Sequence, residues 1–335
     1  MPKLTSLTQV ADLVREFPAF DQASADAATD RQNQLTKPPG SLGTLEDLAI
    51  FMAGWQRTPR PRIAAAQALV FAGNHGICDQ GVNPFPQEVT AQMVANFEHG
   101  GAAINQLCRA NGAELSVVAL DLDRPTADFC KGPAMSEADC LDAMNRGAEA
   151  VNAKADILLL GEMGIGNSTT AAALAAAIVG GDPIDWVGAG TGSSPEGIAL
   201  KARVVADGIA LHGNGSPMEI LASLGGREQA AICGAILAAR AASIPVMLDG
   251  YICTAAAAPL FATNPELLAH CMVGHASAEP GHRKLTAAFG KTPILDFSMR
   301  LGEGTGAALA LGVLKSALAC HNGMATFAEA GVAGG

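Results

Sequence analysis

A chain of 335 residues with 49% hydrophobic content can bury a large core and, at about 150 residues per domain, has room for two domains. With one Tyr and two Trp, that content is mostly small and aliphatic, which lets helices sit close on a sheet. The formal net charge of −11 carries no long basic or acidic run, which argues against a nucleic-acid partner, whose affinity needs clustered cations.

In chain order, residues 21–35 and 44–56 read as polar helices, separated by the loop Thr36-Lys-Pro-Pro-Gly-Ser-Leu-Gly43, whose prolines and glycines break a helix. From Ala66 onward, short continuous apolar runs alternate with Gly-rich turns and helical stretches. The predicted strands are 68–72, 115–121, 157–160, 244–248 and 271–273, with 293–295 a weaker sixth. Unbroken apolar strands with room for crossover helices between them indicate a parallel sheet covered on both faces. Ser136-Glu-Ala-Asp139 is a helix-opening signal and Gly112 a helix-closing one. The expected architecture is a doubly wound α/β sheet over residues 62–320, with residues 1–61 the helical part of a smaller domain. Residues 321–335 read as a C-terminal tail with a helical turn near 324–330.

The first ten residues carry no apolar signal-peptide core, and the eight cysteines have no C-x-x-C pair. The longest uncharged window, 163–181, contains Asn, Ser, Thr and Gly and makes a poor membrane span. A cytoplasmic protein with reduced thiols and no membrane association is expected.

Three glycine clusters are candidates for chemistry. The run 161–173, GEMGIGNSTTAAA, follows a strand and opens an Ala-rich helix. Its glycines (Gly161, Gly164, Gly166) allow close backbone approach to an anion, and Ser168 or Thr169 is the expected helix cap. It has the Walker A spacing with Asn167 in place of Lys, which favours a monophosphate over a triphosphate; a P-loop-like hydrolase or kinase is the rival reading. The second cluster, around Gly188, Gly190 and Gly192, precedes a helix carrying Lys201, either a point charge for phosphate or a solvated helix lysine. The third, Arg300-Leu-Gly-Glu303-Gly304, places Glu303 before an apolar helix as either a general base or a dipole-stabilising cap. The loop 73–90 contains His75, Cys78 and Gln87 and reads as substrate-recognising. Neither His75 with Cys78 nor Cys271 with His275 offers a four-ligand metal set, and no G-x-S-x-G elbow is present. No metal or cofactor is expected. A non-catalytic nucleotide binder is the reading from another class.

Taken together and in order, KPPGSLG (37–43), GNHG (73–76) with PQEVT (86–90), GEMGIGN (161–167), GGRE (225–228), LDG (248–250), GHAS (274–277) with EPG (279–281), and RLGEG (300–304) resemble the nicotinate-nucleotide–dimethylbenzimidazole phosphoribosyltransferase family. The resemblance implies a Rossmann-like three-layer α/β/α core with a smaller helical domain, a homodimer, and transfer of ribose 5-phosphate from nicotinate mononucleotide to 5,6-dimethylbenzimidazole. It also implies Glu303 as general base and a phosphate site from Glu162, Gly164, Gly166, Asn167 and Ser168. Gly190 and Lys201 would complete that site, with Gln87 touching the base.

Overall fold

The computed structural model describes residues 3–190 and 192–333. Five strands form one parallel sheet: β1 (Ala66–Ala72), β2 (Ala113–Ala119), β3 (Ile157–Met163), β4 (Val246–Leu248) and β5 (Cys271–Val273), in the order β2-β1-β3-β4-β5. The chain steps outward from β1 to β2 and then crosses to β3 on the other side. The crevice at the carboxyl ends of β1 and β3 is therefore the topological switch point, where sheets of this type bind ligands.

Period-two alternation sorts the strand residues into two cores. Leu69 and Phe71, Leu158 and Leu160, and Val246 and Leu248 enter one. Ala68 and Val70, Ile157 and Leu159, and Met247 enter the other. The first core is closed by helices that include Glu137–Glu149, Asn167–Val179 and Arg227–Ala241, the second by Thr44–Gln56, Ala103–Asn111 and Thr305–Gly323. This is the expected three-layer α/β/α arrangement.

Helices Glu137–Glu149 and Arg227–Ala241 meet backbone to backbone. A Cβ on Gly147 would overlap the Ala231 carbonyl, and one on Gly234 the Met144 carbonyl. Gly234→Ala is expected to cost about 1–3 kcal/mol or more of stability by forcing these helices apart. A denaturant midpoint within error of the parent would disprove the contact.

The first helices are tied to the end of the chain. Arg31 donates to the carbonyls of His321, Asn322 and Met324, and Leu35 bridges to Thr326. The guanidinium of Arg240 stacks 4.4 Å over the Trp55 ring, holding the helix Thr44–Gln56 to the sheet's helices. In the 37–43 loop, Lys37 and Glu46 form a buried 2.7 Å ion pair, and Leu42 N donates to the same carboxylate. The boundary predicted at residue 320 falls inside the helix Thr305–Gly323, and Phe327–Ala330 adds a short helix capped by Thr326.

Several strand limits differ from expectation for physical reasons. β3 runs on through Gly161, Glu162 and Met163, paired with Val70, Phe71 and Ala72, so only residues 164–166 make the turn. Gly161 serves close approach rather than turning: a Cβ there would lie 2.6 Å from Gly304 N. Ile244 lies outside β4 because its N–H bonds back to the Ala239 carbonyl and finishes the preceding helix. β2 starts and ends two residues earlier than predicted, at Ala113 and Ala119. Residues 293–295 form only a bridge, Leu295 to His275, at the sheet's edge. Among the described residues no helix is long and apolar enough to cross a membrane, and all eight cysteines are free thiols.

Candidate active site

A cleft of about 220 Å³ opens at the carboxyl ends of the strands. Glu162, Gly164, Gly166, Asn167, Ser168, Gly190, Lys201 and Glu303 all line it, so residues up to 141 positions apart (303 − 162) converge. Gln87 does not line it. Its amide donates to the His75 carbonyl at 2.8 Å, and Val82, Asn83, Pro84, Phe85, Val89 and Met93 form that wall instead. Thr191, in the second glycine cluster, lies outside the described residues.

One end of the cleft is built for an anion. Lys201, on the helix Pro195–His212, is 3% exposed, which rules out the solvated-lysine alternative. Its ammonium reaches Ser168 Oγ at 3.3 Å and the Gly188 carbonyl at 3.5 Å. Burial lowers its pKa, with Glu279 partly opposing. A buried ammonium held by two long contacts has donor capacity left for a ligand. Gly190 has φ +53°, and a Cβ there would sit 3.2 Å from Ser168 Oγ and 3.3 Å from the lysine Nζ. Glu279 fixes this loop by accepting from Gly190 N at 2.9 Å.

The turn from β3 differs in detail from expectation. Gly166, at φ +93°, is itself the N-cap of helix Asn167–Val179, and neither Ser168 nor Thr169 caps it. Ser168 lies in the first turn, where its hydroxyl meets Lys201. Ile165 N is held by Thr90 Oγ1 at 3.1 Å, anchoring the turn to the helix Glu88–Glu98. Asn167 donates its side-chain amide to the Glu162 carboxylate. It lines the cleft with its amide nitrogen engaged by that carboxylate.

Beneath the turn, His75 Nε2 lies 3.0 Å from Glu228 Oε1, both side chains fully buried. Cys78 Sγ donates to the Ile165 carbonyl. These residues brace the glycines rather than face the cleft: a Cβ on Gly164 would come 2.9 Å from the His75 ring.

The other end carries carboxyl groups. Glu303 sits at φ +62° between Gly302 at +83° and Gly304 at +84°. Three successive left-handed residues, one with a side chain, cost free energy that surrounding contacts must offset. Glu303 is 7% exposed, and burial first, then nearby Asp249, raises its carboxyl to about 7. The alternative role, capping the helix Thr305–Gly323, is filled by another residue. Asp249 accepts from Gly304 N at 3.1 Å and Ala307 N at 2.9 Å. Glu162 is fully enclosed, and burial, with the like charges of Asp249 and Glu228, raises it to about 8. Gly302 is required beside it, since a Cβ would lie 2.5 Å from Glu162 Oε1.

Asp249, Glu279 and His275 were not singled out individually as site residues from sequence, although their motifs were. The signal available was position: Asp249 directly follows β4, and His275 lies two residues after β5.

A parallel α/β sheet whose switch-point cleft sets a buried cation opposite a buried, perturbed carboxyl defines an enzyme that fixes an anionic substrate and moves a proton beside it. Comparison with known proteins narrows this class. A family model described as Phosphoribosyltransferase matches residues 17–332. The chain is 62% identical over 332 residues to the nicotinate-nucleotide–dimethylbenzimidazole phosphoribosyltransferase of Rhodobacter capsulatus, covering 99% of each. It is 58% identical to the enzyme of that name from Ruegeria pomeroyi, covering 100% of both chains. The crystal structure of the Thermus thermophilus enzyme of that name superposes with a TM-score of 0.88 at 40% identity, over 94% of this chain and 100% of that one. The chain belongs to the nicotinate-nucleotide–dimethylbenzimidazole phosphoribosyltransferase family.

Proposed function

We propose that this protein transfers ribose 5-phosphate from nicotinate mononucleotide to 5,6-dimethylbenzimidazole, giving α-ribazole 5′-phosphate and nicotinate in assembly of the cobalamin lower-ligand nucleotide. The observation that carries this reading is one cleft with a buried Lys201 and Ser168 at one end and Glu303 at the other. Lys201, Ser168, Gly164, Gly166 and Gly190 hold the phosphate, and Asn167 keeps Glu162 in place beside the ribose. The apolar wall of Val82, Val89 and Met93 suits a methylated aromatic base.

The chemistry balances without a further reactant. The benzimidazole nitrogen lone pair forms the new bond to ribose C1′ as the bond to nicotinate breaks. Those bonding electrons neutralise the pyridinium nitrogen, so no acid has to protonate the leaving group. The proton on the other benzimidazole nitrogen goes to Glu303. Burial raises Glu162 to about 8, which favours its protonated form near neutral pH. Positive charge on the bound pyridinium and developing on the ribose favours its ionised form.

The base acts only when ionised, and its carboxyl is raised. Turnover is therefore expected to be full above about pH 7 and to fall as pH drops through that value. A limb near the ordinary carboxylate range would contradict this site. The direct test is mass-spectrometric detection of nicotinate and nucleotide product from nicotinate mononucleotide with a panel of benzimidazoles. Binding without nicotinate release would overturn the enzyme reading.

A cytoplasmic homodimer is part of the same proposal. Phe85 and Leu301 at the cleft, with Phe297 in the adjoining loop, are apolar side chains 45–64% exposed, a surface that a second copy would cover. Sedimentation checks the dimer.

A further inference from the structure

The side chain that acts and the side chain that holds it in place are separate residues here. Glu303 has no hydrogen bond from the described residues to fix its carboxylate. Its backbone is instead clamped from three strand ends. Gly161 of β3 packs against the peptide joining Glu303 and Gly304, close enough that a Cβ would lie 2.7 Å from the Glu303 carbonyl oxygen. Asp249, immediately after β4, bonds Gly304 N and Ala307 N. His275, after β5, fills the space between two glycines: a Cβ on Gly250 would come 2.5 Å from its Nε2, and one on Gly306 would overlap the ring.

We propose that Asp249 is the positioning residue for the base: it caps the helix Thr305–Gly323 from outside and thereby holds the left-handed Gly302–Gly304 turn that presents Glu303. A helix is ordinarily capped by the residue preceding it, but Gly304 has no side chain to do so. The cap comes instead from 55 positions earlier in the sequence, rooted in the sheet. Both hydrogen-bonded carboxylate contacts of Asp249 go to this helix turn, one to each oxygen. It also faces His275, whose Nε2 lies 3.8 Å from Oδ1.

The arrangement gives Asp249 an electrostatic effect that a neutral cap would lack. The charged or titratable groups facing this end of the cleft are Glu162 from β3, Asp249 and His275 after β4 and β5, Tyr251 and Cys253 from the helix Tyr251–Ala256, and Arg300 from the same loop as Glu303. Glu228 stands behind Glu162 on the helix Arg227–Ala241. Lys201 and Glu279 lie at the anion end. Burial raises the Asp249 carboxyl, while His275 and the backbone N–H groups of Ala307 and Gly304 favour its ionised form. As a negative neighbour it keeps the Glu303 proton on longer, so removing it moves the ionisation to lower pH.

The inference rests on the proposed phosphoribosyl transfer, and its test separates the two. Asp249→Asn keeps shape and removes charge. It is expected to lower kcat roughly ten- to thirtyfold while KM for nicotinate mononucleotide stays within about threefold. The acid limb should move down by about one pH unit. In a Glu303→Gln background the same substitution should cost less than about threefold, because its effect passes through Glu303. An unmoved limb, or a loss that multiplies in the double variant, overturns the proposal. If Asp249→Asn does not fold, Asp249→Ser, which retains one acceptor, replaces it with the same expectations. If the parent protein makes no product, the reading of the reaction fails, and the positioning role is read from a carbon-13 NMR titration of the Glu303 carboxyl. That titration must shift downward in the Asp249 variant for the proposal to stand.

Discussion

Glu303→Gln is expected to lower turnover by about 10²–10⁴-fold while leaving nicotinate mononucleotide affinity within about threefold. Glutamine has the same length and can occupy the same left-handed turn, so the cleft keeps its shape. On the proposed mechanism, what disappears is the acceptor for the benzimidazole proton. The anion end, proposed to hold the mononucleotide, is built on other elements and is left intact. Single-turnover release of nicotinate, alongside calorimetric binding, checks both halves. Near-normal turnover would remove Glu303 from the role of base. Lost binding would mean that the turn, rather than the proton transfer, had been damaged.

Lys201→Ala is expected to raise KM for nicotinate mononucleotide by roughly 30-fold or more, and KM for the base by less than about threefold. Removing one member of a buried, hydrogen-bonded charge pair costs about 2–5 kcal/mol, most of it from stranding the other member. Here the stranded member would be the phosphate. Ser168 and backbone groups would remain, but none carries a compensating charge. Equal changes in both KM values would point to general damage and count against a phosphate contact.

Much of this arrangement could be read from residue order alone, and what could not has a common cause. The strands were legible because burial on both faces makes them continuous apolar runs. Helix 44–56 was predicted with the same limits that the structure gives it. The convergence of residues 162–168 with 190, 201 and 303 followed from glycines at strand ends. The structure adds most where one residue type serves two purposes. Gly161 looked like a turn, yet it stays in the strand because the Glu303–Gly304 peptide passes against it. Asn167 occupied a phosphate-binding position in the motif, but its amide is paired with Glu162. Gln87 sat in a recognition loop and turned inward to the His75 carbonyl. Asp249 stood in a quoted motif and just after a strand, but its capping role was not legible, because a cap supplied from 55 residues away has no spacing signature.

The turn at Gly302–Gly304 also bears on when, during synthesis, the protein acquires its chemistry. Most of the anion end has emerged by residue 201, the strand that roots Asp249 follows at residues 246–248, and Glu279, which holds the Gly190 loop, comes later still. The base arrives only with residue 303, in a conformation that depends on the helix behind it being wound and on Asp249 reaching that helix's first turn. A chain that ends before this helix therefore lacks the proposed base, whatever part of the anion end it retains. Turnover becomes available only in a molecule whose last long helix has closed onto the sheet.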